Sequence, residues 1–214
     1  MDAKMRYFCK KKNEDLSHHK IISIKDISRP ICLLLGPNGT GKSMSLKCME
    51  SELDKENIKY VKYSTSHNDI VHTTWDFDPN DIINAFRSEG ERMCASFDKW
   101  GAQKLVPLVL KTNEPLWILL DEIDSGLSID RILQTVGIIK MIFSGEYQKN
   151  RQVQFVISCN SYELYSAIQH DEFTQNIWVP TNSSFYPKSW EEFKKPYIEY
   201  YEKVHKEDKD EGTA

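Results

Sequence analysis

A chain of 214 residues is long enough for one sizeable core and short for two. With 40% hydrophobic and 28% charged residues, it falls among globular chains and not among disordered or membrane-embedded ones. A net charge of −4 argues against a broadly basic protein that coats nucleic acid, although a local basic patch stays compatible with it.

Cys9, Cys32, Cys48, Cys94 and Cys159 lie far apart, with no C-x-x-C pair. Their odd number, with two beside apolar strands, points to reduced thiols and a cytoplasmic location. No apolar run reaches membrane-spanning length, and the N-terminus lacks the apolar stretch of a signal peptide. No membrane partner is expected.

Met5 to Lys12 and Lys20 to Lys25 read as two strands, a small N-terminal β element joined by the polar stretch Asn13 to His19. Tyr7 or Phe8 has the shape to stack on adenine, but simple packing is the commoner use of such a ring. His18-His19 points its rings to different sides, and no thiol or acid cluster completes a metal site.

Ile31 to Leu35 is a short apolar run of the kind that forms a buried strand. Directly after it comes Gly36-Pro37-Asn38-Gly39-Thr40-Gly41-Lys42-Ser43, which matches G-x-x-x-x-G-K-[ST] at every fixed position. Ser43 to Leu53 then holds good helix formers, with Met44, Leu46 and Met49 available to face a core. Strand, glycine-rich turn and helix together make a phosphate-binding P-loop. Glycines let backbone N–H groups close around phosphate oxygens, and the helix N-terminus adds positive charge. Lys42 is placed to reach the β- and γ-phosphates of ATP, and Ser43 to ligate Mg²⁺.

Ile58 to Ser64 suits a strand, and Asp69 to Phe77 another extended segment. Asp78 or Asn80 can cap a helix through Ile82, Ile83, Ala85 and Phe86. A longer helix is expected from Glu91 towards Leu110, interrupted near Gly101 and Pro107. Leu116 to Leu120 is a second buried strand, ending at Asp121-Glu122. This is the Walker B pattern: Asp121 for the metal, and Glu122 to orient and deprotonate an attacking water.

Ile129 to Phe143 is helical by spacing, with Ile132, Leu133, Val136, Ile139, Ile142 and Phe143 as its apolar stripe. Val153 to Ser158 is a third core strand, Ser161 to Ile168 a helix, and Asn176 to Val179 a last strand. Ser189-Trp190-Glu191-Glu192 fits a capping box that opens a C-terminal helix, with Pro196 placed to kink or restart it. The charged stretch from Lys203 is expected to fray. Strands alternating with helices indicate an α/β domain with a mostly parallel sheet. One domain is expected over residues 1–206, with a disordered tail over 207–214.

Two further stretches choose among P-loop families. Ser88-Glu89-Gly90-Glu91 starts a predicted helix between the P-loop and Asp121. Ser125-Gly126-Leu127-Ser128 follows Asp121-Glu122 closely. In this order of motifs the chain resembles the ABC-ATPase superfamily, in its non-transporter branch of RecF-like and chromosome-maintenance heads. The resemblance spans roughly Ile31 to Ser161, with a reduced helical subdomain. It implies that Ser88, Gly90 and Glu91 form a signature motif that donates to the γ-phosphate held by a second copy. ATP would then be sandwiched in a homodimer and act as a switch for a protein partner or a nucleic-acid process. Ser88 and Glu91 also fit an ordinary helix cap, and the two uses are compatible.

Several positions depart from that family. Arg87 and Glu89 replace the usual Leu and Gly, and no glutamine lies between Ser43 and Ser88. Asn160 stands where the family's switch histidine belongs. An amide can hydrogen-bond water or phosphate but cannot exchange a proton as histidine does, so slow turnover is expected. A ring-forming AAA+ ATPase is the alternative, since such proteins place a polar sensor where Asn160 lies. A non-hydrolysing, ATP-dependent scaffold is a third reading.

Overall fold

The computed structural model describes residues 21–64, 95, 97–111, 114–124, 128–144, 153–169 and 172–211. Met5 to Lys12, His18-His19, Tyr7, Phe8, the segment Asp69 to Phe86, the signature residues Ser88, Gly90 and Glu91, Ser125 to Leu127, and the side chains of Ile142 and Phe143 lie outside them. Of the predicted strand Lys20 to Lys25, Ser23 is extended, but residues 21–23 belong to no strand of the sheet and Ile24 and Lys25 turn away. Ile24–Asp26 is a 3-10 turn. Ser23 caps it, with Oγ accepting from Lys25 N at 3.2 Å, while the Asp26 carboxylate accepts from Ser23 N at 2.9 Å. Such reciprocal capping satisfies the backbone locally and competes with strand pairing.

The core is a six-stranded sheet in the order β2-β3-β4-β1-β5-β6. The strands are β1 (Ile31–Leu35), β2 (Lys59–Ser64), β3 (Leu116–Asp121), β4 (Val153–Cys159), β5 (Thr174–Trp178) and β6 (Ser183–Ser184). All neighbours run parallel except β6, which pairs antiparallel with β5. This is the mostly parallel α/β sheet expected of a P-loop NTPase. Parallel strands buried on both faces read as unbroken apolar runs, which is why β1 and β3 stand out in the sequence.

Helix α1 (Lys42–Lys55) covers one face. Leu46, Met49 and Leu53 are buried there against Cys32, Leu34, Leu119 and Val156. At its C-terminus, Asn57 at φ 54 turns the chain towards β2. The other face is covered by α3 (Ile129–Ser144), α4 (Tyr162–Ile168) and α5 (Trp190–Glu211), together with the short α2 (Val106–Lys111).

The interruption expected near Gly101 and Pro107 takes a definite form. Gly101–Leu105 is a π-helical turn, with Val106 N donating to Gly101 O, and α2 follows it. Helix α3 keeps Ile132, Val136 and Ile139 in the core, but Leu133 is 52% exposed and so is not part of the stripe. One position after Ile132 is a turn of about 100° away from the buried face.

Helix α5 departs from its predicted capping box in one partner. Ser189 Oγ accepts from Glu192 N at 3.2 Å, but Glu192 Oε2 accepts from Lys188 N at 2.7 Å and not from Ser189 N. The helix is continuous through Pro196 and runs to Glu211, past the point where fraying was expected and into the segment read as a disordered tail. Among the described residues, no helix is long and apolar enough to cross a membrane.

Candidate functional site

Register brings the chemistry together. Leu35 at the end of β1 lies opposite Cys159 on one side and Trp178 on the other. Leu120 on β3 lies opposite Ile157. The P-loop, Asp121-Glu122 and Asn160 therefore leave the sheet at one edge, the carboxyl ends of the strands, where α/β sheets bind ligands.

Gly36, Gly39 and Gly41 all have positive φ, at 149°, 83° and 97°. At Gly36 a side chain would also be crowded: a Cβ would lie 3.0 Å from Thr40 Oγ1 and 3.1 Å from Pro180 Cδ. Thr40 is buried, and its hydroxyl donates to Pro37 O at 2.8 Å, which closes the loop on itself. Asn38 and Gly39 lie exposed at the tip. Gly41 in the left-handed region starts α1 with no side-chain cap, which leaves the first helical N–H groups for an anion.

Lys42 is only 5% exposed. Its ammonium donates to Gly36 O and, at 2.8 Å, to Pro37 O. Burial pushes its pKa down to about 8, against the opposing pull of Asp124, Cys159, Glu122 and Asp121. The unfolded chain therefore holds this proton more tightly than the folded one. Between about pH 8 and 10.4 the unfolded state binds more protons, so this residue makes stability rise with pH in that window.

A chain of hydrogen bonds joins the P-loop helix to the carboxylates. Ser43 Oγ donates to Asp121 Oδ1 at 3.1 Å. Ser158 Oγ donates to the same oxygen at 2.8 Å and accepts from Glu122 N at 2.7 Å. Ser158 is fully buried, so these bonds are sheltered from water. Glu122 itself sits at φ 55, an uncommon conformation for a non-glycine residue, which turns the chain directly after β3.

Asp124 fixes the other side. Its Oδ2 accepts from Asn160 N and Ser161 N, both at 2.7 Å. Ser161 then caps α4 through Leu164 N at 3.2 Å. The turn carrying Asn160 is thus tied to the segment carrying Glu122. Asn160 Oδ1 and Asp124 Oδ1 are buried without hydrogen-bond partners among the described residues. Such orphaned acceptors mark a place where a further donor is missing. Cys159, beside them, is a buried thiol whose pKa burial raises, so it stays protonated.

The donor set fits Mg²⁺. That ion takes octahedral oxygen ligands, whose neighbouring positions lie about 2.9 Å apart. Ser43 Oγ and Asp121 Oδ1, at 3.1 Å, are already spaced that way. The structure therefore brings together Gly36 to Ser43, Asp121, Glu122 and Asn160. Ser88, Gly90 and Glu91 lie outside the described residues. Sequence reasoning missed Ser158 and Asp124. A serine near the end of an apolar strand was the only visible signal for the first, and Asp124 had none beyond its proximity to Asp121.

A family model described as "ATPase family associated with various cellular activities (AAA)" matches residues 32–181, which include Gly36 to Ser43, Asp121, Glu122, Asp124, Ser158 and Asn160. No curated protein matches the sequence significantly.

Proposed function

The chain belongs to the ATPase family associated with various cellular activities, and from the order of its motifs we propose that it is a slow, ATP-hydrolysing switch of the ABC type. Its ATP would be shared between two copies of the chain. The observation that carries hydrolysis is the bonded series Ser43, Asp121, Ser158 and Glu122. It connects a phosphate-binding loop to the backbone N–H of Glu122, the residue whose carboxylate can take a proton from water.

In this reading the P-loop amides and Lys42 hold the phosphates, and Ser43 and Asp121 hold Mg²⁺. The ion supplies charge neutralisation at the phosphate oxygens. Glu122 orients and deprotonates the attacking water. Asn160, held by Asp124, hydrogen-bonds that water or the γ-phosphate without exchanging a proton. This division of labour supports slow turnover, suited to a switch acting on a protein partner or a nucleic-acid process.

Lys42 gives this reading a pH signature. Phosphates favour its charged form, so binding above about pH 8 requires proton uptake. Mg-ATP affinity should fall by up to tenfold per pH unit above that point. Calorimetry at several pH values, in buffers of different ionisation enthalpy, reads both the fall and the proton.

The sandwich rests on Ser88, Gly90 and Glu91 as a signature motif. Glu122→Gln with Mg-ATP should form a two-fold dimer. Adding Ser88→Arg, which places bulk and charge at the shared face, should return it to monomer while ATP still binds. Light scattering decides. A hexamer supports instead the AAA+ ring, which the family match and the position of Asn160 at the end of β4 favour at least as well.

A further inference from the structure

Gly36 opens the P-loop at a φ of 149°. Glycine has little intrinsic preference for that value over others, so bonds from outside the loop must hold it. One comes from the far end of the chain. Gly36 N donates to the hydroxyl of Tyr197 at 3.1 Å, across 161 residues of sequence.

Tyr197 is held in place by its own neighbours. Its ring stacks on Phe193, with centroids 5.0 Å apart and planes 26° apart. It meets Trp178 edge-on, at 5.0 Å and 66°. Trp178 ends β5, and the next two residues touch the same part of the P-loop. Val179 N donates to Leu35 O at 2.9 Å, and Pro180 packs against Gly36. An aromatic cage on α5 and β5 therefore aims one hydroxyl at one backbone amide.

The opposite side of Gly36 carries the phosphate-binding cation, because its carbonyl accepts from Lys42 Nζ. We infer that Tyr197 is a positioning residue of the nucleotide site. Its hydroxyl holds Gly36 N and, with Pro180 against the same residue, restricts the Gly36 torsions that aim its carbonyl and so set where the Lys42 ammonium rests before phosphate draws it away. The C-terminal helix is then a working part of the P-loop and not only a cover for the sheet. This inference rests on the nucleotide-binding reading of the site.

Tyr197→Phe keeps the ring and removes the hydroxyl. Losing one hydrogen bond at a prearranged loop should weaken Mg-ATP binding about five- to tenfold. The loss should appear in KM and leave kcat within about twofold, because the hydroxyl acts on the loop and not on the attacking water. In the protein without nucleotide, the Gly36 amide should exchange its hydrogen faster.

Tyr165→Phe is the control. Its hydroxyl donates to Pro187 O at 3.0 Å in the same layer, away from the P-loop. That variant should lower the melting temperature and leave affinity and KM unchanged. If Tyr197→Phe matches wild type in affinity and KM, the inference is overturned while the nucleotide site stands. It is overturned too if both variants weaken binding equally, since layer packing alone then explains the effect. A wild type that binds no Mg-ATP overturns the nucleotide reading, and this inference with it.

Discussion

Glu122→Gln should lower phosphate release by about 10²–10⁴-fold, the usual range for removing a general base. The substitution keeps size and hydrogen-bonding capacity but cannot accept a proton from water. The bond from Glu122 N to Ser158 Oγ involves only backbone on the Glu122 side, so it survives. The turn at φ 55 is set by that bond and by Asp121, not by the carboxylate. Mg-ATP affinity should therefore stay within a fewfold of wild type. Release measured with a phosphate sensor, alongside calorimetry on the same preparation, separates chemistry from binding. Equal turnover in the two proteins would remove Glu122 from the mechanism. Turnover in the wild type no higher than in a Lys42→Ala control would favour the scaffold reading.

Lys42→Ala should weaken Mg-ATP binding about a hundredfold or more, since each hydrogen bond to a charged group contributes about 1.5–3 kcal/mol. The ammonium is the cation held inside the loop, bonded to Gly36 O and Pro37 O until phosphate arrives. Its removal also deletes a buried charge whose folded form is disfavoured by burial. The variant should therefore fold, and its stability should lose the rise between about pH 8 and 10.4 that Lys42 brings. Calorimetry and pH-dependent chemical denaturation test the two halves of this expectation. Unchanged affinity in the folded variant would contradict the assignment of the P-loop.

Much of this site was legible in the sequence because spacing alone carries it. The P-loop match places Lys42 and Ser43 at the start of a helix, and the apolar run Leu116 to Leu120 delivers Asp121 to a strand end. Both strands are buried on both faces, so composition marks them directly. What could not be read depends on register and on distant packing. Ser158 reaches Asp121 only because β3 and β4 are parallel neighbours with Leu120 opposite Ile157. Asp124 matters because the turn after β4 folds back on it. Tyr197 arrives from the C-terminal helix, whose sequence shows a capping box and Pro196 but no sign of a contact with the P-loop.

The misreadings have equally local causes. Lys20 to Lys25 carries strand-forming residues, but Ser23 and Asp26 cap a turn within it. Leu133 matches an apolar spacing in α3 while the helix turns it outward. In α5, Glu192 reaches one residue further back than a capping box requires. Charge density alone also does not end α5 at Lys203, since helix geometry continues to Glu211.

A switch that ATP closes and hydrolysis opens is the central claim, and mass followed through one round of turnover tests it most directly. Wild-type protein is mixed with a small excess of Mg-ATP while light scattering and phosphate release are recorded on one sample. The mass should double on mixing and return to that of the monomer in step with phosphate release. In the same experiment Glu122→Gln should double and stay doubled. A wild-type mass that stays constant while phosphate is released, or that rises to six subunits, would contradict it.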